Sequence, residues 1–307
     1  MELLLGKISN DTLLVLSGDI YQIESIDFGN WFFYAKDVIK AKGASIELCH
    51  TWRTDKESLK SLWNAVREKS TIVTEKLSMD GPFSENLGEN IFHLDDDEVV
   101  LCLNYDGKFG LNNMNQYFQN ANTNSKAFSW EEWTYKIGDR IIFTNTKRST
   151  LLYNNLKGTI TNITYGENKI IFEIEVKTFF TESQCEEETF NYIETTQNGT
   201  IIEIDVISWD DELPEEEKVR TVIPFQLAYA VSIHKAQGLE YKSVKVVIPS
   251  SNAEKITHSI FYTAITRAKE KLKRFWSAET MKNIIESFYG DDTEQRTLPI
   301  IKTELCQ

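Results

Sequence analysis

Between Tyr135 and about Val206 the sequence repeats one pattern, short β-branched runs set apart by Asn/Gly turns. Asp139-Arg-Ile-Ile-Phe143, Gly158-Thr-Ile-Thr-Asn-Ile163, Lys169-Ile-Ile-Phe-Glu-Ile-Glu-Val176 and Thr200-Ile-Ile-Glu-Ile-Asp-Val206 follow one another. Period-two alternation places every second side chain on one face of a strand. Several such strands at close spacing describe a small antiparallel barrel or meander, a β module separate from what flanks it.

The flanks read differently. Leu13-Leu-Val-Leu16, stopped by Ser17-Gly-Asp19, has the continuous apolar run of a short buried parallel strand, with a functional loop expected at its carboxyl end. Thr54 and Glu57 form a capping-box pattern ahead of Leu59, Leu62, Trp63 and Val66, whose spacing marks one face of an amphipathic helix. Val99-Val-Leu-Cys-Leu103 is a second buried-strand candidate, behind the acidic loop Asp95-Asp-Asp-Glu98. Residues 208–218 read as an exposed acidic linker that returns the chain to an α/β pattern. There follow a strand around Leu227–Val231, a helix start near Ser232–Gln237, a strand at Val244–Ile248 and a helix over Ser259–Ala268. In that helix Ile260, Phe261, Ala264, Ile265 and Ala268 share a face. The ending, Gly290–Gln307, is polar without periodicity and reads as a frayed tail or an arm for a partner.

Charge and cysteine usage bound the function. With 47 Asp+Glu against 33 Lys+Arg the chain carries −14, which argues against a general nucleic-acid coat protein. Contact with nucleic acid therefore calls for a local basic groove or charge supplied by another polypeptide. Cys49, Cys102, Cys185 and Cys306 lie far apart with no CxxC pair, as expected for reduced thiols in a cytoplasm, and no metal site is legible. No apolar run approaches the roughly 20 residues that span a bilayer, so no membrane partner is expected.

Four segments carry candidate chemistry. Ser232-Ile-His234-Lys235-Ala-Gln237-Gly238-Leu-Glu240 packs hydroxyl, imidazole, ammonium, amide and carboxylate into a strand-to-helix turn, which is either an anion site or merely a polar surface turn. Thr263-Ala-Ile-Thr266-Arg267-Ala-Lys269 places an arginine near a helix end, where it can neutralise a phosphoryl group or simply cap helix carbonyls. Asp19 and Gln22 follow the first strand, and an amide there can orient a water or sense a phosphate. Arg53, ahead of the capped helix, is a further phosphate candidate. Trp130 and Trp133 are core anchors or stacking platforms for bases. His50 and His93 have no carboxylate or cysteine at ligand spacing.

Together these segments resemble the second half of a superfamily 1 DNA helicase of the RecD-like type, with a UvrD-like C-terminal helicase domain. Leu16-Ser-Gly18-Asp19-Ile-Tyr-Gln22 resembles motif III, and His50-Thr-Trp-Arg53-Thr54 is similar to motif IV. Tyr229-Ala-Val-Ser232-Ile-His234-Lys-Ala-Gln237-Gly238-Leu-Glu240 resembles motif V, and Phe261-Tyr262-Thr-Ala-Ile-Thr266-Arg267-Ala-Lys269 resembles motif VI. Gly110-Leu111, Met114-Asn115, Phe118-Gln119 and Ile137-Gly-Asp139-Arg-Ile-Ile142 match the family's passage into an inserted SH3-like β module. The turn Asn154-Asn-Leu-Lys-Gly158 stands where the family usually has Asn-Gly, and Lys271-Leu-Lys-Arg-Phe-Trp276 is unusually basic for the strand after motif VI.

The resemblance implies an α/β fold, a RecA-like parallel sheet domain with an inserted SH3-like β-barrel. Its parts would be the remnant of a first RecA-like domain (1–45), a second RecA-like domain (46–134 and 207–290), the insert (135–206) and a tail (291–307). No G-x-x-x-x-G-K-[ST] occurs, the nearest approach being Gly107-Lys108-Phe109. The chain is thus expected not to hydrolyse ATP alone and to use ATP and Mg²⁺ only with an N-terminal ATP-binding helicase domain, in cis or in trans. In that assembly, translocating 5′→3′ on single-stranded DNA, the resemblance gives Arg267 (an arginine finger) and Arg53 to the γ-phosphate and Gln22 to hydrolysis sensing. Gly238, Glu240 and Asp19 fall to the nucleotide, and Ser232, His234 and Lys235 to the DNA. The competing reading is a non-catalytic nucleic-acid or protein interaction module derived from a helicase half.

Overall fold

The structure is a computed structural model that describes residues 6–7, 9, 11–24, 31–41, 43–48, 50–95, 97–123, 126–144 and 148–289. The tail expected from Gly290 lies outside the described residues. Described residues up to His50 form one compact unit and those from Thr51 onward a second. No helix among the described residues is long and apolar enough to cross a membrane.

In the first unit, helix α1 (Trp31–Ala41) follows an extended stretch that contains Leu13–Leu16. The buried strand expected there is absent, with Leu13 87% and Val15 75% exposed. An apolar run becomes a buried strand only where neighbours take up its backbone groups and a layer covers its side chains. Among the described residues no strand pairs with it.

The second unit is built on a parallel sheet in the order β1 (Ser84–Glu85), β13 (Ala268–Phe275), β12 (Tyr241–Val247), β2 (Glu98–Cys102), β11 (Ala230–Ser232). Every residue of β2 is buried, as its unbroken apolar run requires. Helix α2 (Glu57–Arg67) buries Leu59, Leu62, Trp63 and Val66, the face that the spacing marks. Its cap differs from expectation, because Lys56 is the N-cap and makes no side-chain cap bond. The Thr54 hydroxyl instead accepts from the Lys56 N–H at 3.1 Å and donates to the Lys269 carbonyl. Trp63 Nε1 donates to the Ile265 carbonyl at 3.0 Å, which docks α2 on the end of helix α4 (His258–Ile265). The helix expected to run to Ala268 stops at Ile265, and Ala268 opens β13. Helix α3 (Leu111–Ala121) packs beside β11, and α5 (Ala278–Ser287) closes the described chain.

The basic strand is buried in part. In β13 Leu272, Arg274 and Phe275 are buried while Lys271 is exposed. Arg274 lies 5.0 Å from the Trp276 ring and donates to the Phe83 carbonyl at 3.2 Å and Ser84 Oγ at 3.3 Å. Burial lowers its pKa to about 9.

A second, antiparallel sheet runs in the order β10 (Phe225–Leu227), β5 (Arg140–Phe143), β6 (Lys157–Gly166), β7 (Lys169–Val176), β9 (Thr200–Ile207), β8 (Asn191–Thr195). Its four inner strands are the ones legible in the sequence. Strand β8 and the hairpin β3 (Ala127–Trp130) with β4 (Trp133–Lys136) are additional. Phe143, Phe172, Phe225 and Tyr135 meet edge to face in its core. The single strand expected around Leu227–Val231 divides here. The Ala228 N–H bonds the Arg140 carbonyl in the antiparallel sheet at 2.8 Å, and the Tyr229 carbonyl bonds the Val100 N–H in the parallel one at 3.1 Å.

A polar seam joins the two sheets. Asp139 is fully buried and accepts from Gln119 Nε2 (2.6 Å), the Lys136 N–H (2.8 Å) and the Tyr229 hydroxyl (2.9 Å). One turn earlier on α3, Asn115 both donates to the Ala230 carbonyl at 3.0 Å and accepts from its N–H at 2.9 Å, so a side chain completes the edge of β11. Burial raises the Asp139 pKa even against its hydrogen bonds.

Asp139→Ala removes the acceptor of the Lys136 N–H and of the Tyr229 hydroxyl and one of the two acceptors of Gln119 Nε2, and should cost roughly 3 kcal/mol in urea unfolding. Asp139→Asn should cost about 1 kcal/mol, because the amide oxygen still serves Gln119 and Lys136 and the Tyr229 hydroxyl can accept from the new N–H₂. Since the folded pKa is raised, the Asp139 contribution is full below the ordinary carboxylate range and is lost as pH rises through the raised value; the Asn variant should lack that slope.

Candidate functional site

The segment after β11 is a succession of turns rather than the helix expected from Ser232. The Ala236 N–H bonds the Ser232 carbonyl at 2.9 Å, but only one helical turn forms before Gly238 takes φ +83°. That left-handed conformation suits glycine and ends the turn, which sends the chain back into β12. Ser232 is buried, and its Oγ accepts from the Lys235 N–H at 3.2 Å. Lys235 Nζ donates to Gln226 Oε1 at 2.5 Å, while His234 is exposed.

At the far end of this segment three sequence-distant pieces meet. Arg267 is 1% exposed and turned inward, donating from Nε to the Thr263 carbonyl (2.9 Å), from Nη1 to the Leu239 carbonyl (3.2 Å) and from Nη2 to Thr266 Oγ1 (3.1 Å). Arg53 Nη1 donates to the Thr266 carbonyl at 2.9 Å, and its Nε lies 3.6 Å from Glu240 Oε2. Glu240 Oε1 accepts from Lys269 Nζ at 2.7 Å. The Lys269 hydrogen bond holds the Glu240 carboxyl below its ordinary range, with Arg53 adding to the effect and burial opposing it. A backbone bond from Tyr241 N–H to the Arg267 carbonyl, 3.0 Å, ties the two motifs together.

Arg53, Gly238, Glu240 and Arg267 are thus brought together, and Ser232, His234 and Lys235 lie on the same loop. Asp19 and Gln22 belong to the other unit. There Asp19 accepts from the Tyr21 N–H at 3.0 Å and from Gln22 Nε2 at 2.9 Å, which closes the Gly-Asp turn upon itself. Trp133 is 61% exposed, whereas Trp130, opposite it in the hairpin, packs on the antiparallel core. His93 lies 3.6 Å from Asp95, a pairing that the spacing argument missed although residues two apart on extended chain share a side.

Sequence reasoning also passed over Lys269 and Trp52. Lys269 stands two residues past Arg267, where strand β13 has begun and period two puts it toward Glu240. Trp52 is 88% exposed beside Arg53, and a lone tryptophan in a turn gives no periodic signal. Arg53 and Lys269 flank the Glu240 carboxylate, and Arg267 holds the carbonyl of the residue before it, Leu239.

The family description "UvrD-like helicase C-terminal domain" matches residues 227–273, the stretch from β10 into β13. The RecD subunit of the RecBCD enzyme from Buchnera aphidicola subsp. Acyrthosiphon pisum is 26% identical over 191 residues, 61% of this chain and 26% of that protein. The ATP-dependent DNA helicase Pif1 of Campylobacter jejuni is 32% identical over 114 residues, 37% of this chain and 23% of that one. The solved structure of a Bacteroides Pif1 helicase in complex with ADP-AlF3 and ssDNA aligns over 94% of this chain and 66% of its own, with a TM-score of 0.50 at 12% identity, a likeness of fold. The chain spans about a quarter of the length of the two Buchnera RecD proteins it matches.

Glu240→Gln should change global stability by less than about 1 kcal/mol, since the carboxylate is half exposed. Its pairing, present above the ordinary glutamate value, is lost as pH falls through the depressed folded value. In an NMR titration the Arg53 Nε–H signal should therefore move on acidification in the wild type and stay fixed in Glu240→Gln.

Proposed function

We propose that this chain, a relative of the RecD and Pif1 helicases whose residues 227–273 match the UvrD-like helicase C-terminal domain, is the carboxyl-terminal part of an ATP-dependent DNA helicase. The observation that carries the reading is the convergence of Arg53, Glu240 and Arg267, each from a different motif of the resemblance, on the turn that enters β12 beside the start of β13. The loop with Ser232, His234 and Lys235 leaves the carboxyl end of β11, the edge at which ligands bind in open α/β sheets. ATP with Mg²⁺, held by a preceding ATP-binding domain, supplies the phosphoryl group whose transfer drives the motor. The donor set fits that group: guanidinium and ammonium donors around one carboxylate prefer a polyanion.

Arg267 is the arginine finger in this reading, with Arg53 beside it. Its present acceptors are neutral carbonyls and a hydroxyl, and a phosphate oxygen competes well for the same donors because charge-assisted bonds are roughly twice as strong. Domain closure swings Arg267 from Leu239 toward the nucleotide, and reopening returns it. Gln22 and Asp19, on the first unit, report on hydrolysis. Ser232, His234 and Lys235 hold the single-stranded DNA backbone, and translocation runs 5′→3′. The antiparallel sheet is the SH3-like insert over 135–206, flanked by a RecA-like domain of residues 46–134 and 207–290 and preceded by the remnant of another at 1–45, with a tail at 291–307. The exposure of Leu13 and Val15 supports a covering layer from the preceding domain. The assembly works in the cytoplasm.

The inward Arg267 favours a second reading, a non-catalytic nucleic-acid or protein interaction module in which that arginine only caps α4. Mixing the chain with a Walker-containing N-terminal half separates the two. DNA-stimulated ATP hydrolysis should appear and fall by about 10³-fold or more in Arg267→Ala. Hydrolysis indifferent to that change removes the finger, and binding of DNA without any hydrolysis supports the module. Affinity for an oligo-dT probe should drop steeply between 50 and about 200 mM salt if phosphates are the main contacts.

A further inference from the structure

Strand β6 begins at Lys157, and this side chain crosses from the antiparallel sheet to the turn that leads into β12. Its Nζ donates to the Glu240 carbonyl at 2.6 Å, stands 3.6 Å from the centre of the Tyr241 ring and lies 3.6 Å from Asp97 Oδ1. Beside it is a cavity of about 70 Å³ lined by Asp97, Glu98, Arg140, Lys157, Lys177 and Tyr241 among others. The carbonyls of Leu239 and Glu240 are consecutive, and each is taken by a cation from a different side, Arg267 for the first and Lys157 for the second. The next residue, Tyr241, returns its N–H to the Arg267 carbonyl. A peptide gripped in this way cannot shift without moving the Glu240 side chain that pairs with Lys269 and Arg53.

We propose that Lys157 is a positioning residue through which the antiparallel sheet sets the geometry of the Arg53–Glu240–Arg267 cluster, an inference that rests, for its role in the motor, on the nucleotide-facing reading of that cluster. The contact is a releasable one. Three attractions, to a carbonyl, a carboxylate and an aromatic face, hold the ammonium, while its removal from water opposes them. Burial lowers the Lys157 pKa to about 8, outweighing Asp97.

The groups facing it are Asp97 just before β2 and Glu98 at its start, Arg140 on β5, Lys177 after β7, Glu240 ahead of β12 and Tyr241 at its first position. The Tyr241 phenol is pushed far up by burial and the Glu240 carboxyl is held low by Lys269, so neither changes charge near that value. The closed contact holds its proton less tightly than a free lysine does. Opening therefore takes up a proton between pH 8 and the ordinary lysine range, and the contact tightens as pH rises across that interval.

Amide exchange on the full chain tests this, read at Tyr241 and corrected for intrinsic rates. Lys157→Met keeps the aliphatic stem and removes the donors; Tyr241 should exchange about tenfold faster at neutral pH, with the amides of β7 and β9 unchanged. Lys157→Arg keeps charge and donor and should restore wild-type protection. The rise in Tyr241 protection from pH 8 to 10 should appear in the wild type and vanish in Lys157→Arg, which retains every neighbour including Lys177. Wild-type protection in Lys157→Met, or a slope that survives in Lys157→Arg, overturns the assignment. With the ATP-binding half supplied, Lys157→Met should also lower DNA-stimulated hydrolysis and Lys157→Arg restore it. Loosened Tyr241 with hydrolysis unmoved would leave the positioning role standing and sink the nucleotide reading of the cluster.

Discussion

A carboxylate with no access to water, Asp139, is the constraint on which the rest of the second unit depends. Its three donors come from the helix that backs the parallel sheet, from the end of the separate β3–β4 hairpin and from the tyrosine between the two larger sheets. Burying a carboxylate costs several kcal/mol unless its oxygens are satisfied. Each donor therefore has to stand where Asp139 needs it. Tyr229 is the important one, because fixing its hydroxyl fixes the point at which the chain leaves β10 and enters β11. Asn115 then registers Ala230, and two residues later the loop with Ser232, His234 and Lys235 begins. The functional loop takes its position from a polar seam rather than from the apolar cores on either side, which are non-directional and tolerate sliding.

The same logic recurs at the end of that loop. Leu239 and Glu240 have no regular secondary structure of their own, yet their carbonyls, the Glu240 carboxylate and the Tyr241 amide at the start of β12 are engaged by Arg267 between α4 and β13, Lys269 on β13, Lys157 on β6 and Arg53 before α2. Such a turn is defined by its neighbours. Movement of any one of them is therefore felt by the others.

Much of this was legible before any coordinates. The inner antiparallel strands and the helix over Glu57–Arg67 stood out because period is a local property, and β2 because its apolar run is unbroken. The motif order brought Arg53, Glu240 and Arg267 into one site although they lie far apart in the chain. What sequence could not supply was set by tertiary partners. Thr54 carries the signature of a cap, but the Lys269 carbonyl claims its hydroxyl. Leu13–Leu16 has the composition of a buried strand, but composition cannot provide the strands that would pair with it. A single apolar run over Leu227–Val231 hides a change of sheet that appears only in its backbone partners, Arg140 for Ala228 and Val100 for Tyr229. Arg274 sits in a strand that looked too basic to bury, and ring faces together with carbonyl acceptors take the place of solvent.

A chain of net charge −14 that gathers cations on one turn also resolves an apparent conflict between composition and site. At physiological ionic strength charges more than about 8 Å away are largely screened, so the potential felt by an incoming anion is set by the residues that touch it. Around the Leu239–Glu240 turn those are Arg53, Lys269, Arg267 and Lys157, with Asp97 of the run ahead of β2 beside Lys157, while the 208–218 linker carries further acidic residues. Two of the four cations are withdrawn from water and bonded to carbonyls, so their charge is directed inward to the turn rather than spread over the surface. Global acidity then disfavours indiscriminate attraction of polyanions, and in the proposed reading the local cluster acts only on one that arrives in the right geometry. Selectivity of this kind follows from burial and direction, and no change in net charge would reproduce it.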